Sequence, residues 1–447
     1  MSPELLTLLM FLTLILCIPL GHPLAITLAA VAMLFGLIDN GFNVPALLDL
    51  FVNNNWGTFL NYTLVAIPLF IFMAQIMDRS KVSEALFDAL YRSMGKVRGG
   101  LGLAVIVVST VFAATTGIIG ASVVAMGLMA GPALLRRGYD RGMSAGIICS
   151  SGTLGILIPP SIMLVVYGSL TGLKETSVGN LFAGAILPGL VLSGLYLAYV
   201  AIRCGINPSL GPPIPAEEDT LTAGQKATMI LKSFLPPFSL ILLVMGTILA
   251  GVATPTEAAA MGGLGALVLA LLNRMLSWEV IAQSCVSTLR ITCMIMLLFV
   301  GGKLFSVVFL SIGGGDVVAD LLLGMDVSPY VVLAIMMAVV FFLGMFIDWA
   351  AILLVTVPIF TPIAMDLDFN PLWFAMLVCV NLQTSFLTPP FGYALFYFKG
   401  VAPPAYTMGD IYKGIMPFVA IQVVGLVLMV VFPRLITWLP SLFFGSP

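Results

Sequence analysis

The chain has 447 residues, of which 60% are hydrophobic and only 9% are charged. A soluble domain carries far more charge than this, so the composition indicates an all-α polytopic membrane protein. The net charge of −2 argues against a role in binding nucleic acid, and one histidine with six scattered cysteines gives no metal-ligand or catalytic pattern for an enzyme.

The hydrophobic runs predict membrane spans in chain order, since about 17 to 25 apolar residues cross a bilayer as a helix. The first run lacks the basic residues and the cleavage site of a signal peptide, so we expect it to be retained as a span. The predicted spans lie near 4–20, 23–38, 58–77, 144–172, 178–203, 233–250, 256–273, 291–311, 372–399 and 412–435.

Two further apolar stretches, 100–135 and 329–365, have flanks of opposite charge. Basic residues flank the first stretch on both sides, and the positive-inside rule places both of its ends in the cytoplasm. The stretch therefore enters and leaves by one face, as a re-entrant hairpin. The second stretch has only acidic flanks, so we expect it to open to the outer face. The flanking charges are Arg79, Lys81, Arg92, Lys96, Arg98, Arg136, Arg137 and Arg141 for the first, and Asp316, Asp320, Asp326, Asp366 and Asp368 for the second.

A pair of prolines occurs twice. Pro159 and Pro160, in GILIPPS, recur as Pro389 and Pro390 in SFLTPPFG, at an offset of 230 positions. Proline removes backbone hydrogen bonds, and membrane helices tolerate it only where the freed groups find other partners. Each proline pair therefore predicts a broken helix, and the opposite charge beside the two hairpins predicts repeats of inverted topology.

Amphipathic patterning predicts two further helices at the membrane interface. Residues 78–98 carry apolar side chains at helical spacing beside basic ones, and the repeat offset places a weaker acidic counterpart at 308–328. We expect these two segments to form a cytoplasmic arm and an outer arm.

Polar residues cluster at both hairpin tips and just before both proline pairs, where we expect the helix to be unwound. Hydroxyl, amide and backbone oxygens suit a small cation such as Na⁺, and helix N-termini favour an anionic group. The tips carry Thr115, Thr116, Gly117, Gly120 and Ser122 in the first half and Gly344 and Asp348 in the second. The helices carry Ser150, Ser151, Gly152 and Thr153, then Asn381, Gln383, Thr384, Ser385 and Thr388.

Other roles are open for these side chains. A single hydroxyl in a membrane helix commonly bonds back to the preceding turn or links two helices. The clusters beside both breaks nevertheless favour binding, because irregular backbone at membrane depth lines a cavity or is buried in protein. For Asp348, coupling to a cation or proton and capping of a helix both remain open.

Together with the two proline motifs, GVATPTEAAAMG at 251–262 resembles the large membrane subunit of tripartite ATP-independent periplasmic (TRAP) transporters, over nearly the whole chain. The resemblance implies an Na⁺-driven elevator-type secondary transporter of the ion transporter superfamily. It implies a small four-span membrane subunit, which we do not expect to be fused to this chain, and a soluble periplasmic binding protein as partners. It also implies a bacterial inner membrane and a C4-dicarboxylate, sialic acid or a similar carboxylate as substrate.

The resemblance also distributes the polar residues between two Na⁺ sites and one substrate site. The first cation site takes Thr115, Thr116, Gly117, Gly120, Ser122, Ser150 and Thr153, and the second takes Gly344, Asp348, Ala350, Thr384 and Ser385. The substrate site takes Ser151, Gly152, Pro159, Asn381, Gln383, Thr388 and Pro389. Because the two halves differ at matched positions, we expect two unequal cation sites.

The predicted organisation divides the chain into a scaffold and a transport domain. Scaffold spans with an arm helix occupy 1–99 and 233–328, a cytoplasmic linker occupies 204–232, and the transport domain takes 100–203 and 329–447. Both termini then fall on the periplasmic side. The alternative within transport is a stand-alone Na⁺- or H⁺-coupled organic anion symporter that needs no binding protein.

Overall fold

The computed structural model describes residues 2–94, 97–213 and 222–445. These residues form α-helices, short 3₁₀ turns and loops, without any β-strand among them. Within the described ranges, nine helical segments are long and apolar enough to cross a membrane. The predicted all-α polytopic class is therefore confirmed.

The described residues of the first half form ten α-helices. They are α1 Pro3–Cys17, α2 Leu24–Asp39, α3 Val44–Phe59, α4 Ala66–Arg79, α5 Val82–Ser93, α6 Gly100–Thr116, α7 Ile119–Arg136, α8 Arg141–Thr153, α9 Ile162–Thr171 and α10 Val178–Ile206.

Ten more α-helices lie in the part of the second half that the structure describes. They are α11 Ala223–Leu249, α12 Pro255–Leu272, α13 Trp278–Ser311, α14 Gly314–Leu323, α15 Pro329–Gly344, α16 Trp349–Asp366, α17 Pro371–Ser385, α18 Tyr393–Val401, α19 Met408–Val431 and α20 Arg434–Phe444.

Both predicted hairpins are present. α6 and α7 are joined at Gly117, whose φ of 63° is in the left-handed region that glycine adopts without a steric cost. α15 and α16 are joined by residues 345–348. We call residues 117–118 the first tip and residues 345–348 the second tip.

Both broken helices are also present, but the breaks begin later than predicted. Residues 150–153 lie in the last turn of α8 and residues 381–385 in the last turn of α17, so the expectation that they are unwound was wrong. A proline removes the bond to the carbonyl four residues before it. The pairs at 159–160 and 389–390 therefore free only the carbonyls of residues 155–156 and 385–386. The hydroxyl of Ser161 donates to one of these, the carbonyl of Ile156.

The two repeats exchange contacts across the break. α7 packs on α18, and α16 packs on α9, so each hairpin lies against the far half of the other repeat's broken helix. The Cys149 thiol lies 3.7 Å from the Ala394 carbonyl oxygen, and the Tyr167 and Thr361 hydroxyls are 3.4 Å apart. We call α6–α9 with α15–α18 the hairpin block.

The remaining helices pack around this block. α4 packs on α12, and α13 packs on α2, α4 and α16. The ATPTEAAA string begins α12 with a capping box, in which Thr254 N donates to the Glu257 carboxylate at 2.8 Å. The Thr256 hydroxyl donates to the Tyr62 carbonyl at 3.4 Å, which links this motif to the start of α4.

Several elements differ from the prediction. α3 was not predicted as a helix, because Asn53, Asn54 and Asn55 interrupt its apolar pattern. α11 begins at Ala223, inside the predicted linker 204–232, of which residues 214–221 lie outside the described ranges. α13 begins at Trp278 rather than at 291, and α20 is an additional short helix at the end of the chain.

The two arm segments are helical where the structure describes them. α5 covers most of the stretch predicted at 78–98, of which residues 95 and 96 are outside the described ranges. In the second half, α13 continues to Ser311, so the counterpart arm is the shorter α14. α5 packs on α11 and α6, and α14 packs on α1, α13 and α16.

Candidate functional site

A small cavity of about 80 Å³ lies between the two hairpin tips and α13. We call it the tip cavity. Its walls come from the first tip, the second tip, the break after α17, the start of α9 and one face of α13. The lining residues are Gly117, Ile118, Ile119, Gly120, Ile162, Ile291, Met294, Ile295, Asp348, Trp349, Phe386, Tyr393 and Tyr397.

Four helices begin at this cavity. Ile119, Ile162, Trp349 and Tyr393 are the first residues of α7, α9, α16 and α18, and all four line the cavity. A helix N-terminus carries free N–H groups and a partial positive charge of roughly +0.5. The tip cavity is therefore suited to hold an anionic group without a lysine or arginine.

The first tip is held by a short hydroxyl network. The Thr116 hydroxyl lies 2.8 Å from the Ser122 hydroxyl and donates to the Phe112 carbonyl at 3.1 Å. The tip lies against the break of its own repeat, because a Cβ atom at Gly117 would be 3.2 Å from the Pro160 carbonyl oxygen. Hydroxyl and carbonyl oxygens are thus gathered where the first cation site was predicted.

The second tip is built around Asp348. Its carboxylate accepts a hydrogen bond from Ala350 N at 3.0 Å and caps α16, so the capping role that the sequence left open is present. Asp348 is half-buried and also lines the tip cavity. Among the described lining residues it is the only charged one. Capping uses one carboxylate oxygen, so Asp348 can cap α16 and also face a ligand in the cavity.

The second tip is also in close contact with α17. A Cβ atom at Gly344 would lie 2.0 Å from the Ser385 hydroxyl oxygen and 2.7 Å from its Cβ. Only glycine allows this approach, since real Cβ atoms are not found so close to other heavy atoms. The end of α15 is therefore fixed against the end of α17.

Most of the predicted hydroxyl groups bond to their own helix. Each donates to a carbonyl three or four residues earlier, as a single hydroxyl in a membrane helix commonly does. Their oxygens retain lone pairs that could face a cation. The residues in this group are Thr115, Ser150, Thr153, Thr384, Ser385 and Thr388.

Ser151 and Asn381, at matched positions of the repeats, connect each broken helix to the first helix of its hairpin. The Ser151 hydroxyl donates to the Ser109 hydroxyl at 3.0 Å, and the Asn381 amide donates to the Met337 carbonyl at 2.7 Å. Neither side chain lines the tip cavity. Their observed contacts position the helix ends.

Gln383 differs from its neighbours. Its side chain is 0% exposed, and neither its amide nitrogen nor its carbonyl oxygen has a hydrogen-bond partner among the described residues. A buried polar group without a partner costs about 1–3 kcal/mol, so it commonly marks a place where a ligand or water completes the bonding. Gln383 occupies the position in the second repeat that Thr153 has in the first.

Of the predicted site residues, Gly117, Gly120 and Asp348 line the tip cavity. Other predicted site residues do not line this cavity. They are Ser122, Ala350, the polar ends of α8 and α17, Gly152, Pro159 and Pro389. The wall formed by α13 and the ring pair Tyr393 and Tyr397 were not predicted from the sequence. The four-residue spacing of these tyrosines, just after the second proline pair, was a signal that both rings share one helix face.

Comparison with known proteins gives the family. Residues 9–435 match the family model described as tripartite ATP-independent periplasmic transporter, DctM component. A C4-dicarboxylate TRAP transporter large permease protein, DctM of Pseudomonas aeruginosa, is 32% identical over 382 residues, covering 85% of this chain and 87% of the relative.

Two further relatives and one solved structure match this chain over nearly its full length. An ectoine/5-hydroxyectoine TRAP transporter large permease protein, UehC of Ruegeria pomeroyi, is 31% identical over 441 residues, covering 98% of this chain and 99% of the relative. A sialic acid TRAP transporter large permease protein, SiaM of Vibrio cholerae, is 28% identical over 429 residues, covering 95% of this chain and 96% of the relative. The crystal structure of the Alcanivorax borkumensis YdaH transporter matches with a TM-score of 0.66 at 15% sequence identity, covering 100% of this chain and 99% of that chain. This similarity supports the fold. The chain belongs to the family of TRAP transporter large permeases, the DctM component.

Proposed function

We propose that this chain carries out Na⁺-coupled uptake of an organic acid anion, delivered by a periplasmic binding protein, by an elevator movement of the hairpin block. The observation that carries the proposal is the tip cavity, where both hairpin tips and four helix N-termini meet in front of α13. Transporters built from inverted repeats commonly bind their substrate at such a meeting of broken helices.

The substrate class follows from the charges at the cavity. Four positive helix ends favour a carboxylate, and Lys and Arg are not among the described lining residues. The relatives' names include C4-dicarboxylate, sialic acid and ectoine transport. We therefore assign a small organic acid to this chain, with the carboxylate at the four helix N-termini.

Na⁺ coupling is supported by the oxygen donors and by Asp348. A substrate carboxylate next to Asp348 is repelled unless a cation is bound between or beside them. The hydroxyl, amide and carbonyl oxygens of the two tips and of the ends of α8 and α17 are hard ligands that fit Na⁺. Thr116, Ser122 and Thr153 would serve the first site, and Asp348, Gln383 and Ser385 the second. Bound Na⁺ supplies positive charge that offsets the carboxylates.

The size of the cavity supports a moving block. About 80 Å³ has room for two or three waters, whereas sites for small molecules commonly measure about 300 to 1,000 Å³. A whole substrate needs more space between the tips and α13. Separation of the hairpin block from α13 provides that space, with residues 1–99 and 233–328 as the scaffold and the arms α5 and α14 holding the block.

Partners and location follow from the same proposal. The chain works with a small four-span membrane subunit and a soluble binding protein in the bacterial inner membrane. The basic residues around α5 then face the cytoplasm, and both termini face the periplasm.

Reconstitution tests the proposal. The chain and its small partner are placed in proteoliposomes, and uptake of succinate, sialic acid and ectoine is measured with and without the periplasmic binding protein. We expect uptake of a carboxylate only when the binding protein is present. Full uptake without it would favour the stand-alone symporter, and no uptake of any organic acid would contradict the proposal.

A further inference from the structure

A second and larger cavity, of about 260 Å³, lies at the opposite end of α9 from the tip cavity. Amide and hydroxyl side chains dominate its lining, and we call it the asparagine cavity. The lining residues are Asn53, Asn54, Gly57, Thr58, Asn61, Leu64, Ser169, Leu170, Phe299 and Lys303. Its volume approaches the lower end of the range for small-molecule sites, about 300 Å³.

Lys303 is the charged group of this cavity. It is half-buried on α13, a helix long and apolar enough to span the membrane. No ion pair or hydrogen bond joins it to another described residue, and none of the described lining residues is acidic. A lysine at membrane depth without a counter-charge is costly and indicates a functional site.

The neutral polar groups around Lys303 are already ordered. Asn61 donates to the Ser169 carbonyl at 3.4 Å, which connects the loop before α4 to the end of α9. The Asn54 amide donates to the Leu50 carbonyl at 2.9 Å, and the Thr58 hydroxyl donates to the Asn54 carbonyl at 3.2 Å. The bonds of Asn54 and Thr58 stay within α3 and order these two side chains at the cavity.

The two cavities share their walls. Ile291 and Ile295 line the tip cavity, and Phe299 and Lys303 line the asparagine cavity, at steps of four residues along one face of α13. α9 likewise contributes Ile162 to the first cavity and Ser169 to the second. Ile295 and Lys303 are roughly 12 Å apart along a helix that rises 1.5 Å per residue. The buried ring of Phe299 lies between them in sequence.

We propose that the asparagine cavity is a second, entry-side binding site for the carboxylate of the transported anion. Lys303 supplies the opposite charge, and the amides and hydroxyls of α3 and α9 bind the remaining polar groups. The cavity lies at the N-terminal end of α4, whereas Arg79 is at the C-terminal end of that helix. In the orientation proposed above, this is the periplasmic side. The anion then moves along the face shared by α13 and α9 to the tip cavity.

This inference rests on the proposed uptake of an organic anion, and its test separates the two. The chain with its small partner and binding protein is reconstituted as wild type, Lys303→Gln, Lys303→Arg and Lys174→Gln. The last variant is the matched control, because it removes the same charge from an exposed position in the loop between α9 and α10. The probe is whichever of succinate, sialic acid and ectoine the wild type takes up, and absence of wild-type uptake refutes the proposed function itself.

Loss of the charge should lower kcat/KM for uptake by about tenfold in Lys303→Gln, because a charge-assisted hydrogen bond to the carboxylate is replaced by a weaker neutral one. Uptake at saturating substrate should change little. Lys303→Arg and Lys174→Gln should resemble the wild type. The difference between wild type and Lys303→Gln should shrink when choline chloride is raised equally on both sides, since salt screens the attraction.

Equal kcat/KM in Lys303→Gln and Lys174→Gln would overturn the inference, and so would a deficit that does not respond to salt. Vesicles of phosphatidylcholine alone contain no lipid of net negative charge, and a defect that appears only when anionic lipid is added would assign Lys303 to a lipid headgroup and would also overturn the inference. If Lys303→Gln does not assemble, Asn53→Leu places an apolar side chain at the exposed side of the same cavity. That variant should show the same fall in kcat/KM, and normal uptake in it would count against the site.

Discussion

The contact between the second tip and α17 leads to a quantitative prediction for Gly344→Ala. The added methyl group would lie 2.0 Å from the Ser385 hydroxyl oxygen and 2.7 Å from the Ser385 Cβ. Rotation of the hydroxyl can relieve the first overlap but not the second, so the end of α15 or of α17 must shift. Overpacking of this kind costs about 1–3 kcal/mol.

Two companion variants make the prediction specific. Gly246→Ala, on α11, is the matched control. Apart from the neighbouring backbone of α11 itself, no atom lies within 4 Å of the new Cβ. It should be neutral or slightly stabilising, by up to about 1 kcal/mol, since alanine is the better helix former. Ser385→Gly should restore space for the methyl group in the double variant with Gly344→Ala.

The assay is thermal unfolding of the purified chain in detergent, followed by uptake in proteoliposomes. Gly344→Ala should lower the unfolding temperature. It should also reduce uptake by about tenfold or more, because a cost of about 1.4 kcal/mol to the tip conformation that binds substrate lowers its population tenfold. The double variant should recover part of the lost unfolding temperature but not the uptake, because Ser385 is a proposed ligand of the second cation site. Equal unfolding temperatures of Gly344→Ala and Gly246→Ala would refute the close contact, as would a double variant no more stable than Gly344→Ala.

Three further predictions concern the end of the second broken helix and the second tip. Asn381→Leu removes the hydrogen bond from α17 to the Met337 carbonyl and should lower the free energy of unfolding by about 0.5–1.5 kcal/mol, and an unchanged unfolding curve would contradict this. Gln383→Met removes a buried amide without a partner, so stability should be kept or raised while Na⁺-dependent uptake is lost. Gln422→Met, at a buried position on α19, is its control and should retain Na⁺ dependence. Asp348→Asn keeps a side chain that caps α16 as well, so stability should stay within about 0.5 kcal/mol while uptake falls, and normal uptake would leave only the capping role.

Much of the fold could be predicted because its signals are local. The charges beside 100–135 and the two proline pairs indicated the hairpins and the broken helices without any tertiary information. The structure also shows how far α8 and α17 extend before each break, and this follows from the hydrogen bonds that proline removes. That step could have been taken from the sequence alone.

Other features depend on tertiary packing and carry no local signal. α3 is helical although Asn53–Asn55 interrupt its apolar pattern, because Asn54 and Asn55 bond to carbonyls of their own helix and Leu47 and Phe51 are buried. The lining of the tip cavity by α13 depends on the packing of α13 against α2, α4 and α16. Sequence patterns could therefore locate the tips, but they could not identify the wall opposite them.

Na⁺ dependence of uptake is the decisive measurement for coupled transport by this chain. Proteoliposomes with the chain, its small partner and the binding protein are given an inward Na⁺ gradient or equal Na⁺ on both sides, at clamped membrane potential. We expect concentrative uptake of the organic anion only with the gradient, its loss in Gln383→Met and its retention in Gln422→Met. Concentrative uptake that is the same with and without the gradient would refute Na⁺ coupling.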